Sequence, residues 1–276
     1  MKNNLFRLSL LTLLMALFVG CVDDGADGIN GTNGADGQDG QAGQDGQNGQ
    51  DGTNGNLAVY TVQITNLTYS QPFSPAAVIL HEPGYNAFID GVQASIALEE
   101  LAEGGNPTSL MDDASFATEF LDAVSTGAPT APRSIGSVST LLAPVLDVDD
   151  LRLTVVTMLV DTNDAFTGLN AMNISNMTVG QTRSFTTPSW DAGTEANLES
   201  AATMPGPAAT AAGGGGEAAG FNSARDDLFD RVSFHRGVVT NANQADPSLE
   251  GLSTSVLDEG DRWDNPTSRV VVTRTR

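Results

Sequence analysis

Leu57 to Leu67 reads LAVYTVQITNL, with Tyr60, Val62 and Ile64 on every second position. Successive strand side chains point to opposite faces, so this alternation predicts a half-buried β-strand. Further along, Arg152 to Val160 (RLTVVTMLV) is almost continuously apolar. A run of that kind suits a central strand covered on both faces. Ala77 to His81 (AVILH) predicts a shorter strand, and Arg269 to Thr273 (RVVVT) a closing one. Leu228 to Val239 is expected to hold another, with Val232 and Phe234 inward.

Helical spacing is local. Val92 to Glu103 carries Ile96, Leu98, Leu101 and Ala102 on one face and meets Gly104-Gly105, which should end it. Ser109 is expected to cap a second helix running to Val124, with Phe116, Phe120, Leu121 and Val124 as its stripe. Met204 to Gly220 (MPGPAATAAGGGGEAAG) reads as an exposed loop inserted between elements, with room for an alanine-rich helix before Gly213 that Pro205 and Pro207 would limit. Several strands with short helices predict a mostly β fold, an antiparallel β-sandwich with helical elaborations, over residues 57–276. That length suffices for one sizeable core.

Upstream, Lys2 and Arg7 precede the apolar run Leu8 to Val19, which is short for a membrane span and reads as a secretory signal over residues 1–20. Phe18-Val19-Gly20-Cys21 resembles the bacterial lipoprotein processing box. That resemblance implies cleavage before Cys21 and lipidation of its sulfur. Cys21 is the chain's one cysteine, so no intrachain disulfide competes for it. Val22 in place of Asp implies sorting to the outer membrane, facing the periplasm or the outside.

Residues 21–56 form the next segment. Glycine recurs at every third position from Gly25 through Gly55 without a slip. Strict Gly-X-Y marks collagen, but proline is absent and almost nothing can be buried. Two readings stay open: a hydrated spacer reaching about 100 Å if extended at ~3.1 Å per residue, and a collagen-like helix giving a homotrimer.

The chain has 12 basic and 34 acidic residues. Without Lys2 and Arg7 the mature chain keeps 10 arginines and no lysine, for a net charge of −24. Such a surface repels nucleic acid and anionic lipid at long range and attracts divalent cations. Enzyme chemistry finds little support. The two histidines, His81 and His235, allow neither a Cys/His dyad with a lipidated cysteine nor a three-histidine metal site. Gly213 to Gly216 lacks the Lys and Ser/Thr of a phosphate loop. No carboxylate pair stands out from the acidic background as a glycosidase pair would.

Five stretches, in order, resemble the spondin N-terminal domain family of F-spondin and mindin. They are Tyr60 to Pro83 (YTVQITNLTYSQPFSPAAVILHEP), Leu98 to Gly105 (LEELAEGG), Met158 to Met172 (MLVDTNDAFTGLNAM), Ser189 to Glu199 (SWDAGTEANLE) and Asp261 to Thr273 (DRWDNPTSRVVVT). The resemblance implies a C2-like β-sandwich, adhesion or matrix association, and bound calcium. It implies Asp164 and Asp191 as metal ligands. A third carboxylate is expected among Asp147, Asp149 and Asp150, with Asp147 favoured, and Glu195 and Asp161 are outer contributors. Calcium takes six to eight hard oxygens, which Asp-rich loops supply. Trp190, beside Asp191, is expected to cover the core.

Two functions follow: a surface-displayed, calcium-binding adhesion or recognition module with a protein or glycan partner, or a structural envelope or matrix protein without a discrete ligand.

Overall fold

A computed structural model of the chain describes residues 56–214, 221–241 and 251–276. The expected signal segment, Cys21 and the glycine triplets lie outside the described residues.

Two antiparallel sheets form the domain. In the first, β1 (Leu57–Asn66) lies between β4 (Ile135–Pro144) and β10 (Ser268–Arg274), and β7 (Thr182–Thr187) pairs with the far side of β10. Val62 faces Val272, and Val270 faces Phe185. The second sheet has six strands. Its order is β3 (Phe120–Ser125), β2 (Ala77–His81), β5 (Arg152–Met158), β6 (Ala165–Asn173), β8 (Ser189–Asp191) and β9 (Ser233–Phe234).

The alternation in β1 sends Ala58, Tyr60, Val62 and Ile64 between the sheets. There they meet Val270 and Val272 of β10, Val78 and Leu80 of β2, and Leu153 and Val155 of β5. The other face of the six-stranded sheet is covered as well. Ala77, Ile79, Val156, Met158 and Phe166 pack against Leu98, Leu101 and Leu110 of two short helices. Burial on both faces is why β2 and β5 read as continuous apolar runs. Each such side chain contributes roughly 1.5–3 kcal/mol on leaving water.

The helices are shorter than the spacing predicts. Helix α1 spans Ile96–Gly104; the Ser95 hydroxyl accepts the Leu98 N–H at 3.1 Å, and Gly105 ends the helix at φ 68°. The cap falls three residues inside the expected start and leaves Ile96 exposed. Helix α2 spans Thr108–Ser115, not Ser109 to Val124. The chain turns at Phe116–Glu119 and continues as β3, because residues 120–125 pair along β2. Phe116, expected in an apolar stripe, is 88% exposed. A third helix, α3, spans Pro207–Ala211, in the alanine-rich run before Gly213 that left room for one. Among residues 228–239 the strand is only Ser233–Phe234; Val232 is buried as expected, but Phe234 faces outward.

Candidate metal centre

The register of β6 and β8 sets the site. Ala165 pairs with Asp191, so Asp164, one residue before β6, stands beside the end of β8. The Asp164 carbonyl accepts the Ala192 N–H at 3.3 Å. Asp191 opens the turn WDAGTE, and its Oδ1 accepts the Gly193 N–H at 2.8 Å. Gly193 has φ +73°, and a Cβ there would meet the Arg231 backbone at 2.5 Å. This glycine lets residues 229–231 lie against the turn, which brings a third acid into place.

Asp164, Asp191 and Asp227 converge, one ligand oxygen from each lying within 4.8 Å of the others. Asp227 is held by its own segment. The Asp226 N–H reaches the Thr194 carbonyl at 3.1 Å, the Ala196 N–H donates to Asp226 Oδ1 at 2.8 Å, and the Phe229 N–H donates to Asp227 Oδ1 at 2.7 Å. The arginine in the same segment, Arg225, pairs with the buried Glu99 of α1 and, at 2.9 Å, with Asp230.

Asp164 is fully buried. Its Oδ2 accepts from the Thr194 N–H at 2.8 Å, the Thr194 hydroxyl at 3.2 Å and the Glu195 N–H at 3.2 Å. Its Oδ1 has no partner. An orphaned buried carboxylate oxygen is costly. Burial, then the charge of Asp191, pushes the Asp164 carboxyl well above its usual range. Burial raises Asp191 and Asp227 too. Carboxylates held this close repel one another when charged, and a cation between them would relieve that repulsion.

The donor set fits a hard cation. Carboxylate oxygens suit Ca²⁺ or Mg²⁺. His235 adjoins the group, but its Nδ1 accepts the Gly237 N–H at 2.9 Å, so the neutral ring carries its proton on Nε2 and offers no lone pair.

Residues 63–210 match the model of the Spondin_N family. The chain belongs to that family. No curated protein matches it. The Spondin_N match contains Asp164, Asp191 and Glu195 and stops short of Asp227.

Of the expected ligands, the structure brings together Asp164 and Asp191. Asp147 sits in a 3-10 turn, Val145–Asp150, before the Arg152 end of β5, whereas Asp164 follows the Met158 end. Six strand steps separate those ends, about 20 Å at ~3.3 Å each. Asp149 and Asp150 share that turn, and Asp150 pairs with Arg152 at 3.0 Å. Glu195 is buried nearby, with the Asn163 amide 3.4 Å from its Oε2, outside the close group of three. Asp161 faces α3 instead, its Oδ1 accepting the Ala208 N–H at 2.8 Å. Asp227 escapes a reading of the sequence because one more Asp in an acidic chain carries no spacing signal.

His81 is wholly buried and bonded to Thr154 at 2.9 Å and the Glu82 carbonyl at 2.7 Å, a structural role. Trp190 packs on Phe88 at 5.3 Å against the helix-side core, and stacks with Phe234 at 4.2 Å.

Proposed function

We propose that this chain is a calcium-dependent recognition or adhesion module displayed on the cell surface. Family membership points to an extracellular recognition or adhesion role. The observation that carries the calcium reading is the convergence of Asp164, Asp191 and Asp227, one carboxylate oxygen of each within 4.8 Å of the others, at a residue, Asp164, whose buried Oδ1 has no hydrogen-bond partner. An ion there would neutralise mutual repulsion and tie the end of the six-stranded sheet to residues 221–237. The role proposed for it is to hold a binding surface in shape, without a catalytic step.

The same reading places lipid on Cys21, the protein at the outer membrane, and the glycine triplets between anchor and domain. What supports it is the apolar run ending at Cys21 and the unbroken triplet register. The partner class is protein or glycan.

Calorimetric titration of calcium into the full chain tests the metal reading. Saturable binding that disappears in Asp164→Asn/Asp191→Asn is expected. A folded parent chain that takes up no calcium would refute it.

A further inference from the structure

A cavity of about 120 Å³ adjoins the carboxylate group, and Asp191 and Asp227 form part of its wall together with Phe229, Phe234, His235 and Arg236. Two of the three candidate ligands thus face a space large enough for a small polar group.

Coordination arithmetic says what that space is for. Calcium takes six to eight oxygens, and three aspartates giving one oxygen each supply fewer than that. Second carboxylate oxygens and nearby carbonyls can take some of the remaining positions, and those that open on the cavity are left to water or to an oxygen of another molecule.

The rest of the wall favours an anion. Arg236 is exposed and forms no salt bridge among the described residues, although the chain is strongly acidic and Asp191 is near enough to feel its charge. A free guanidinium presents a planar fork matched to a carboxylate. His235 is 6% exposed and its Nε2, the nitrogen that carries the proton, has no acceptor. A buried donor without an acceptor is costly, and an anionic oxygen arriving beside it would relieve that cost. With a divalent cation in place, three carboxylates and one guanidinium leave the site without net charge, so an incoming carboxylate meets no local repulsion.

The aromatic residues select the scaffold that carries the anion. Phe234 lies on Trp190 at 4.2 Å and 20°, so its ring is fixed, yet it is 56% exposed; Phe229 is 62% exposed. Fixed, water-exposed ring faces suit the C–H face of a sugar ring, which is apolar on one side and wet on its rim.

We propose that the cavity binds an acidic sugar, one carboxylate oxygen completing the cation's coordination and the other pairing with Arg236. This rests on the calcium reading above and adds the ligand class.

The test uses the full chain in calorimetry, with calcium–sugar blanks subtracted. Calcium is titrated alone first, and then trigalacturonate or neutral galactotriose is titrated at saturating calcium. Expected is trigalacturonate binding that is lost in a chelator, with galactotriose at least about tenfold weaker. Arg236→Gln should weaken trigalacturonate about tenfold or more while calcium affinity holds or rises, since a cation has been removed from the site. Phe234→Ala should weaken trigalacturonate without altering calcium uptake. Calcium binding with trigalacturonate no better than galactotriose, or indifferent to Arg236→Gln, overturns the inference and leaves the metal reading standing. An oligo-aspartate that binds as tightly as trigalacturonate overturns the choice of sugar over peptide. Failure to bind calcium overturns both.

Discussion

Asp164 and Asp227 bring carboxylate oxygens within 4.8 Å of each other, although one precedes a strand of the central sheet and the other lies in a loop beyond the family-matched residues. If both hold the ion, Asp227→Asn lowers calcium affinity about tenfold or more, because ligand charge sets affinity at such sites. Asp147→Asn, at the opposite end of β5, leaves it unchanged. Calorimetry on the two variants side by side decides between them, and equal affinities would remove Asp227 from the site.

Calcium should fasten residues 221–237 to the sheet. At one hundred times its dissociation constant it adds about 2.7 kcal/mol to unfolding. Trypsin should cut after Arg225, Arg231 or Arg236 faster in chelator than in calcium. Cleavage at the same rate in both conditions would show that the ion does not hold this segment.

Arg225 and Glu99 form an ion pair in which the Glu99 side chain is only 2% exposed. Arg225→Ala leaves that carboxylate buried and unpaired, and denaturant unfolding should show a loss of about 3 kcal/mol. Adding Glu99→Gln should recover part of it, because a neutral amide tolerates burial better than a charge. A double variant no more stable than the single one would mean the loss comes from the Arg225 contact with the Ala94 carbonyl at 2.9 Å instead.

Acid acts on two buried groups in opposite senses. Burial, offset by the Ala208 N–H and reinforced by Asp261, pushes Asp161 up to about 6. The folded state therefore holds its proton more tightly than the unfolded chain, and this group's contribution is full below about 4 and is lost as pH rises through 6. Burial lowers His235 to about 4, with Asp227 opposing. Here the unfolded chain takes the proton first, so stability falls as pH drops from 6.5 towards 4. In chelator the two trends partly cancel. Asp161→Asn removes the first, so it should be more stable than the parent at pH 7, by about 1–3 kcal/mol, and should lose stability more steeply on acidification. Chemical denaturation at pH 7 and pH 4.5 checks both. A variant whose profile parallels that of the parent would mean that Asp161 keeps an ordinary carboxyl.

What could be read from the residues follows their burial. The strands β1, β2, β5 and β10 declare themselves, since each packs a regular set of large apolar side chains. Strand β7, TRSFTT, offers one phenylalanine among polar residues, and β4 buries only one side chain in two over its second half. Both belong to the sheet with a solvent-facing side, where pairing matters more than apolar content. Strand β6 is masked by Gly168, which is there because a Cβ would run into the Val155 carbonyl. Residues 109–124 mislead because, of the four apolar side chains at helical spacing, Phe116 lies exposed in the turn after α2, whereas Phe120, Leu121 and Val124 belong to β3. The site was half legible. Asp164 and Asp191 sit in motifs, whereas Asp227 depends on a tertiary approach that Gly193 permits.

The position of β10 bears on how the domain can be made. It lies inside the four-stranded sheet, between β1 and β7, yet follows every other strand among the described residues. Until synthesis has delivered residues up to Arg274, β1 lacks one neighbour and β7 has none in that sheet. The sandwich is thus topologically barred from closing early: β1 and β7 wait on opposite sides for a strand that is made after both of them.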